Sequence, residues 1–348
     1  MGFTAEILDD IRQQLAPDDL VLKEARDRRD AVKSAANSFG GVLRTYNSGS
    51  LAHGTANCPI HQRDKGLDAD CGVVLDRRIH YKLGPDSPMQ EGPDAIISAM
   101  VRHLTPQILD EYPAAKLTVT KRAIFVEVNQ PLSTGEDPTV DFIVGLQRRD
   151  EGLWIPNTEN HRWDPSHPEK HTELLTAHPK SLRVTRARAI RLAKAENKRS
   201  TPPLCSFNVE ALAWMFVEDG YSEPEALLAV WRRGAQDLAV RLTPDPAGIS
   251  APIKVADRDY AVSRLSFAAD RLQAALDHDD DELMVRSSLR QLWPDFVAST
   301  AAEITKARAA ARLKSRQPLR VNSAGGLAVT GGTALKSPRS FGDGGRPA

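Results

Sequence analysis

Nine residues, Leu67-Asp68-Ala69-Asp70-Cys71-Gly72-Val73-Val74-Leu75, constrain this chain more than any other stretch. Apolar and acidic side chains alternate at their start. In a strand, successive side chains point to opposite faces. Leu67, Ala69, Cys71, Val73 and Leu75 therefore share one face, and Asp68 and Asp70 share the other. Two carboxylates on one face repel each other, and each is unfavourable in a strand. A divalent cation between them is the natural compensation, and hard oxygen ligands favour Mg²⁺ or Mn²⁺.

Upstream stands Ser48-Gly49-Ser50-Leu51-Ala52-His53-Gly54-Thr55. Gly49 lets the backbone approach an anion closely. Ser50 offers a hydroxyl and an amide N–H. A helical turn over 50–55 would aim its N–H groups at phosphate oxygens. His53 and Thr55 read as residues that shape the turn. A phosphate cradle ahead of an Asp-x-Asp strand is a nucleotidyltransferase arrangement. Either half alone says little, since a lone Asp-x-Asp is usually a surface strand or a turn. The pair calls for a third carboxylate on a later strand. Thr139-Val140-Asp141-Phe142-Ile143-Val144 supplies one, because an apolar strand rarely carries a single unpaired acid.

The order Gly49-Ser50, Thr55, Asp68-x-Asp70, Asp141 resembles the bacterial cyclic-oligonucleotide synthases. These are the CD-NTases, relatives of the animal DNA sensor cyclic GMP–AMP synthase. The resemblance covers roughly residues 1–313. It implies an α+β fold, a polymerase-β-like nucleotidyltransferase palm with a second helical lobe. It implies two-metal catalysis with Asp68, Asp70 and Asp141 as catalytic residues and metal ligands. The product would be a cyclic di- or trinucleotide second messenger made from NTPs, in antiviral (CBASS-type) defence. Residues 152–157 and 162–168 are similar to the family's loop after the third acid. Asp245-Pro246 with Gly248 resembles a late family segment.

Residues 181–199 read as a basic helix, with Arg191, Lys194 and Lys198 on one face. Such a face is normally solvated. Here the apolar stretch Ala189-Ile190-Arg191-Leu192-Ala193 would anchor Lys194 near the core, and residues 202–210 resemble the family's Ser-containing start of the next helix. The resemblance implies that Lys194 and Ser206, with Gly49 and Ser50, bind the nucleotide triphosphate.

The remaining readings bound the surroundings. The chain has 46 basic and 46 acidic residues, so no global field draws it to nucleic acid, and the C-terminal stretch 322–348 has no basic cluster dense enough to do so. No apolar run reaches membrane-spanning length, and no signal peptide is evident. The three cysteines form no disulfide framework, which fits a cytoplasmic location. Zinc at Cys58, His61 and Cys71 is rejected for want of a fourth ligand. His161, His167, His171 and His178 crowd one region, where helix capping or nucleotide contacts account for them.

Further helices are expected at 4–15, 19–38, 93–109, 208–217, 223–242, 261–276, 282–293 and 298–314. Short strands are expected at 42–46, 117–120 and 123–128. Residues 1–180 are read as the core with its bracing N-terminal helices, 181–314 as the helical lobe, and 315–348 as a disordered tail. Expected partners are NTPs and a defence-system effector or regulator, with no membrane, for a monomer or weak oligomer. Two rival functions stand beside this one. The chain could make linear oligonucleotides or modify a protein or tRNA, or it could be a non-catalytic nucleotide sensor. The three intact acids argue against the sensor.

Overall fold

The alternation at 67–75 forms the strand it implies, and a mixed sheet grows around it. In this computed structural model, residues 2–59, 66–87, 92–177, 179–298 and 303 are described, with three short backbone segments beyond them. Five strands, β1 (Val42–Asn47), β2 (Asp68–Leu75), β3 (Lys116–Val119), β4 (Ile124–Glu127) and β5 (Thr139–Gln147), lie in the order β1-β2-β5-β4-β3. All pair antiparallel except β2 and β5, which run parallel with Asp70 opposite Asp141.

A parallel pair needs a long crossover. The chain from 76 to 138 provides it, carrying β3, β4 and a helix at Gly92–Glu111. Ala69, Cys71, Val73 and Leu75 of β2 and Val140, Phe142 and Val144 of β5 are buried in one apolar cluster. The N-terminal helix at Asp19–Asn37 contributes Val21, Ala25, Val32 and Ala36 to it. Its basic residues are not all solvated, as its composition suggests. Arg28 is 1% exposed. Its guanidinium donates to the carbonyls of Pro138 and Gln130 at 2.6 Å each and pairs with Asp137 and Glu24. A buried guanidinium must have all its donors matched. That requirement fixes the turn leading into β5.

The segment after the third acid is a hairpin, not the loop expected for it. Strands β6 (Leu153–Asn157) and β7 (Arg162–Ser166) pair antiparallel, and β6 joins the sheet beside β5. Pro156 and Pro165 lie inside these strands. A proline lacks the donor a central strand needs, so the signature reads as irregular chain. Here β7 is an edge strand, which tolerates Pro165, and β6 pairs β5 only at Leu153 and Trp154, short of Pro156.

In chain order the helices are α1 (Phe3–Gln14), α2 (Asp19–Asn37), α3 (Gly49–His53), α4 (Gly92–Glu111), α5 (Pro168–Thr176), α6 (Lys180–Asn197), α7 (Ser206–Phe216), α8 (Glu223–Val240), α9 (Arg258–Asp277) and α10 (Glu282–Arg290). The chain divides into two units. One is Leu15–Asp270; the other is formed by the described residues within Met1–Gln14 and Arg271–Ala348. In the second unit, α1 buries Ile7, Leu8 and Ile11, and its Thr4 hydroxyl donates to the Ala275 carbonyl at 3.2 Å. Within the stretch read as a tail, three two-residue strands pair as a small sheet: Arg320–Val321, Leu327–Ala328 and Thr333–Ala334. The rest of that stretch, and the helix expected at 298–314 save Ala298 and Glu303, lie outside the described residues. Among the described residues, no helix is long and apolar enough to cross a membrane.

Candidate active site

Each acid reaches the site because a strand carries it there. Asp68 and Asp70 stand two residues apart on β2, and Asp141 lies beside Asp70 on β5. The three carboxylates open into one cleft of about 340 Å³ inside the unit Leu15–Asp270. Gly49, Ser50, Lys194 and Ser206 line the same cleft. All seven residues singled out in the sequence therefore meet in one place.

Gly49 is required there on two counts. Its φ is +67°, which disfavours a side chain. A Cβ at this position would lie 1.8 Å from Asp70 Oδ2. Gly49 also opens α3, whose N-cap Ser48 makes no side-chain cap bond. The turn between Ser50 and Thr55 closes through Thr55 N–H to Ser50 O at 2.9 Å.

The acids strain one another electrostatically. Burial, then the charges of Asp141, Asp68 and Glu210, push the Asp70 carboxyl from 3.8 up to about 7 against the pull of Lys194. Burial and Asp68 push Asp141 up to about 6. The Thr139 hydroxyl donates to Asp68 Oδ1. Among the described residues, no group of three or more His, Cys, Asp or Glu stands at the spacing of a preformed metal site. The donor chemistry nonetheless fits a hard divalent cation. Three clustered carboxylates, among which Asp70 and Asp141 resist ionisation, are what such a cation would neutralise.

The opposite wall comes from α6 and α7. Lys194 is 6% exposed, not part of a solvated face. Its ammonium donates to Glu210 Oε1 at 2.6 Å and Thr55 Oγ1 at 3.1 Å. Glu210 also accepts from Thr55 Oγ1 at 2.6 Å and bonds His53 Nδ1 at 3.0 Å. Burial pushes the Glu210 carboxyl up, but the Lys194 charge and the His53 and Lys194 bonds outweigh it, holding it well below the usual carboxylate range. Ser206 and Glu210 lie one turn apart on α7 and so face the cleft together. The Asn197 side chain bonds both backbone groups of Leu204, N–H at 3.2 Å and C=O at 2.7 Å, which fixes where α7 begins. Asn57 and Arg191 tie the chain after α3 to α6.

The histidines are dispersed. His171 bonds Asp245 at 2.6 Å and packs on Phe207, and both rings line the cleft. His167 caps α5, and His161 pairs with Asp94. His178 lies outside the described residues. Asp245 also accepts from the backbone N–H groups of Ala247, Ile249 and Ser250, which gives the Asp-Pro segment a structural role.

No known protein-family profile matches the sequence. No curated protein matches it either. Solved structures do match. The CD-NTase CdnG of Bradyrhizobium diazoefficiens, in complex with GTP, is 15% identical with a TM-score of 0.63, covering 86% of this chain and 97% of that one. CdnC of E. coli MS115-1, solved with ATP, is 16% identical with a TM-score of 0.60, covering 86% and 99%. The Vibrio cholerae cyclic AMP–GMP synthase DncV is 13% identical with a TM-score of 0.54, covering 85% and 87%. Over most of its length, then, this chain has the α+β fold of the CD-NTases.

Proposed function

We propose that this chain is a nucleotidyltransferase that joins NTPs into a cyclic di- or trinucleotide. The observation that carries the reading is the meeting of Gly49, Ser50, Asp68, Asp70, Asp141, Lys194 and Ser206 in one cleft. Structures of the same fold hold GTP, ATP and, in DncV, the linear intermediate 5′-pppA(3′,5′)pG.

Gly49 and Ser50 would hold the triphosphate from one side, and Lys194 and Ser206 from the other. Asp68, Asp70 and Asp141 would hold Mg²⁺ or Mn²⁺, which when bound supplies charge neutralisation along the phosphates and acidifies an attacking hydroxyl. An acceptor ribose oxygen bonds the α-phosphorus, the bond to the pyrophosphate oxygen breaks, and the hydroxyl proton is lost. The cleft contributes alignment and fixed charge rather than covalent chemistry. A second, intramolecular round closes the ring.

An antiviral role and a protein partner belong to the same proposal. CdnC is found in a complex with a HORMA protein, which supports a regulator for this chain as well.

The test is to incubate the purified protein with labelled NTP pairs and Mg²⁺ or Mn²⁺, then treat the product with phosphatase. A phosphatase-resistant oligonucleotide is expected. A phosphatase-sensitive product would show linear synthesis. Tight NTP binding without pyrophosphate release would show a sensor.

A further inference from the structure

Glu210 has no counterpart among the residues the sequence marked, yet it is the most heavily bonded acid in the cleft. It is 4% exposed. Oε1 receives the Thr55 hydroxyl at 2.6 Å and the Lys194 ammonium at 2.6 Å, and Oε2 meets His53 Nδ1 at 3.0 Å. The three partners come from two distant places: His53 and Thr55 from the turn that begins at Gly49, and Lys194 from α6. The far side of His53 is also held, by the Thr172 hydroxyl at 3.0 Å from Nε2.

The stem of Lys194 has four rotatable carbons, so its ammonium has no fixed position of its own. An ammonium carries three N–H donors. Glu210 and Thr55 engage two, which leaves a third to meet an anion in the cleft. Burying the ion pair also raises the stakes of its geometry, since removing one partner strands the other charge. Glu210 stands one turn beyond Ser206 on α7, so the same helix presents a phosphate-facing hydroxyl and the anchor for the facing lysine.

We propose that Glu210 is a positioning residue for nucleotide binding. It locks the Lys194 ammonium to the Thr55–His53 turn, so that both sides of the phosphate cradle keep one fixed separation. The proposal rests on the nucleotidyl-transfer reading and deepens it.

The test measures affinity of the full-length protein for fluorescent, non-hydrolysable ATP and GTP analogues with Mg²⁺, alongside thermal melting and pyrophosphate-release kinetics. Variants are Glu210→Gln, Glu210→Asp, Lys194→Met and the Lys194→Met/Glu210→Asp pair. Glu210→Asp keeps the charge but withdraws the anchor by one carbon. Glu210→Gln and Glu210→Asp are each expected to weaken analogue binding about tenfold and to raise KM more than they lower kcat. In the Lys194→Met background, Glu210→Asp should add less than about twofold, because the lysine through which it acts is gone.

If Glu210→Gln does not fold, with Lys194 buried unpaired, Glu210→Asp decides. Wild-type affinity in Glu210→Asp overturns the proposal, and so does a full additional loss in the Lys194→Met background. Those results leave nucleotidyl transfer standing. A wild-type protein that binds neither analogue and releases no pyrophosphate overturns both.

Discussion

Asp70 occupies the least comfortable position for a carboxylate in this sheet. It is half-buried between Asp68 and Asp141 and pressed against the Cα of Gly49. Its carboxyl and that of Asp141 bind protons more tightly in the folded chain than their ordinary 3.8. Between about pH 4 and 7 these two carboxyls therefore hold more protons in the folded chain than in the unfolded one, and their contribution to stability must fall as pH rises through that window. Thermal melts without divalent metal should show wild type losing stability between pH 5 and 8. Asp70→Asn should lose less. Mg²⁺ should restore more stability at pH 8 than at pH 5, since only ionised carboxylates bind it. A wild type and an Asp70→Asn variant with parallel pH profiles would refute this account.

The same repulsion makes a second prediction at this scale. Asp68→Ala with Asp70→Ala should cut pyrophosphate release by about a thousandfold or more, as expected when several kcal/mol of charge stabilisation is lost. Its melting temperature should equal or exceed that of wild type. Turnover near the wild-type rate would end the assignment of these acids. Single residues were unevenly legible in the sequence. Asp68, Asp70 and Asp141 stood out because acids interrupt apolar strands. Glu210 did not, because an acid in a helix is ordinarily solvated, and nothing local shows that Thr55, His53 and Lys194 converge on it. Thr55 shapes its own turn through its N–H to Ser50 O, and the side chains of His53 and Thr55 also bond Glu210 on α7.

At the scale of elements, regular periodicity translated well. α2, α6, α8 and α9 and strands β1 to β5 occur where the pattern of apolar residues places them. The β6–β7 hairpin did not, because Pro156 and Pro165 obscure it; Pro165 is tolerable on the edge strand β7, and Pro156 because β6 pairs β5 only at Leu153 and Trp154. The join between α6 and α7 was equally silent in the sequence. It depends on one side chain, Asn197, gripping the backbone of Leu204. Asn197→Ala should destabilise the protein by about 1–3 kcal/mol, the cost of leaving buried backbone groups unmatched. It should also raise KM for NTP, because Ser206 and Glu210 follow two and six residues after the gripped Leu204. Chemical denaturation and steady-state kinetics on one preparation measure both. Full stability with unchanged KM would show that α7 starts correctly without the clamp.

On the scale of the whole molecule, every residue of the cleft lies between Ser48 and Glu210. Truncation after Lys314 should therefore leave turnover of NTPs within about twofold of the full chain. A larger loss would mean that the final residues contribute to the active cleft. The parallel pairing of β2 with β5 puts Asp70 against Asp141 only after the crossover between them has closed. Such a contact is remote along the chain, so it forms late and slowly compared with the hairpins and helices. Emerging from the ribosome, the chain can display its first two acids long before the third arrives, and Lys194 and Glu210 come later still. Chemistry of the kind proposed here is thus withheld from every copy that ends before Glu210.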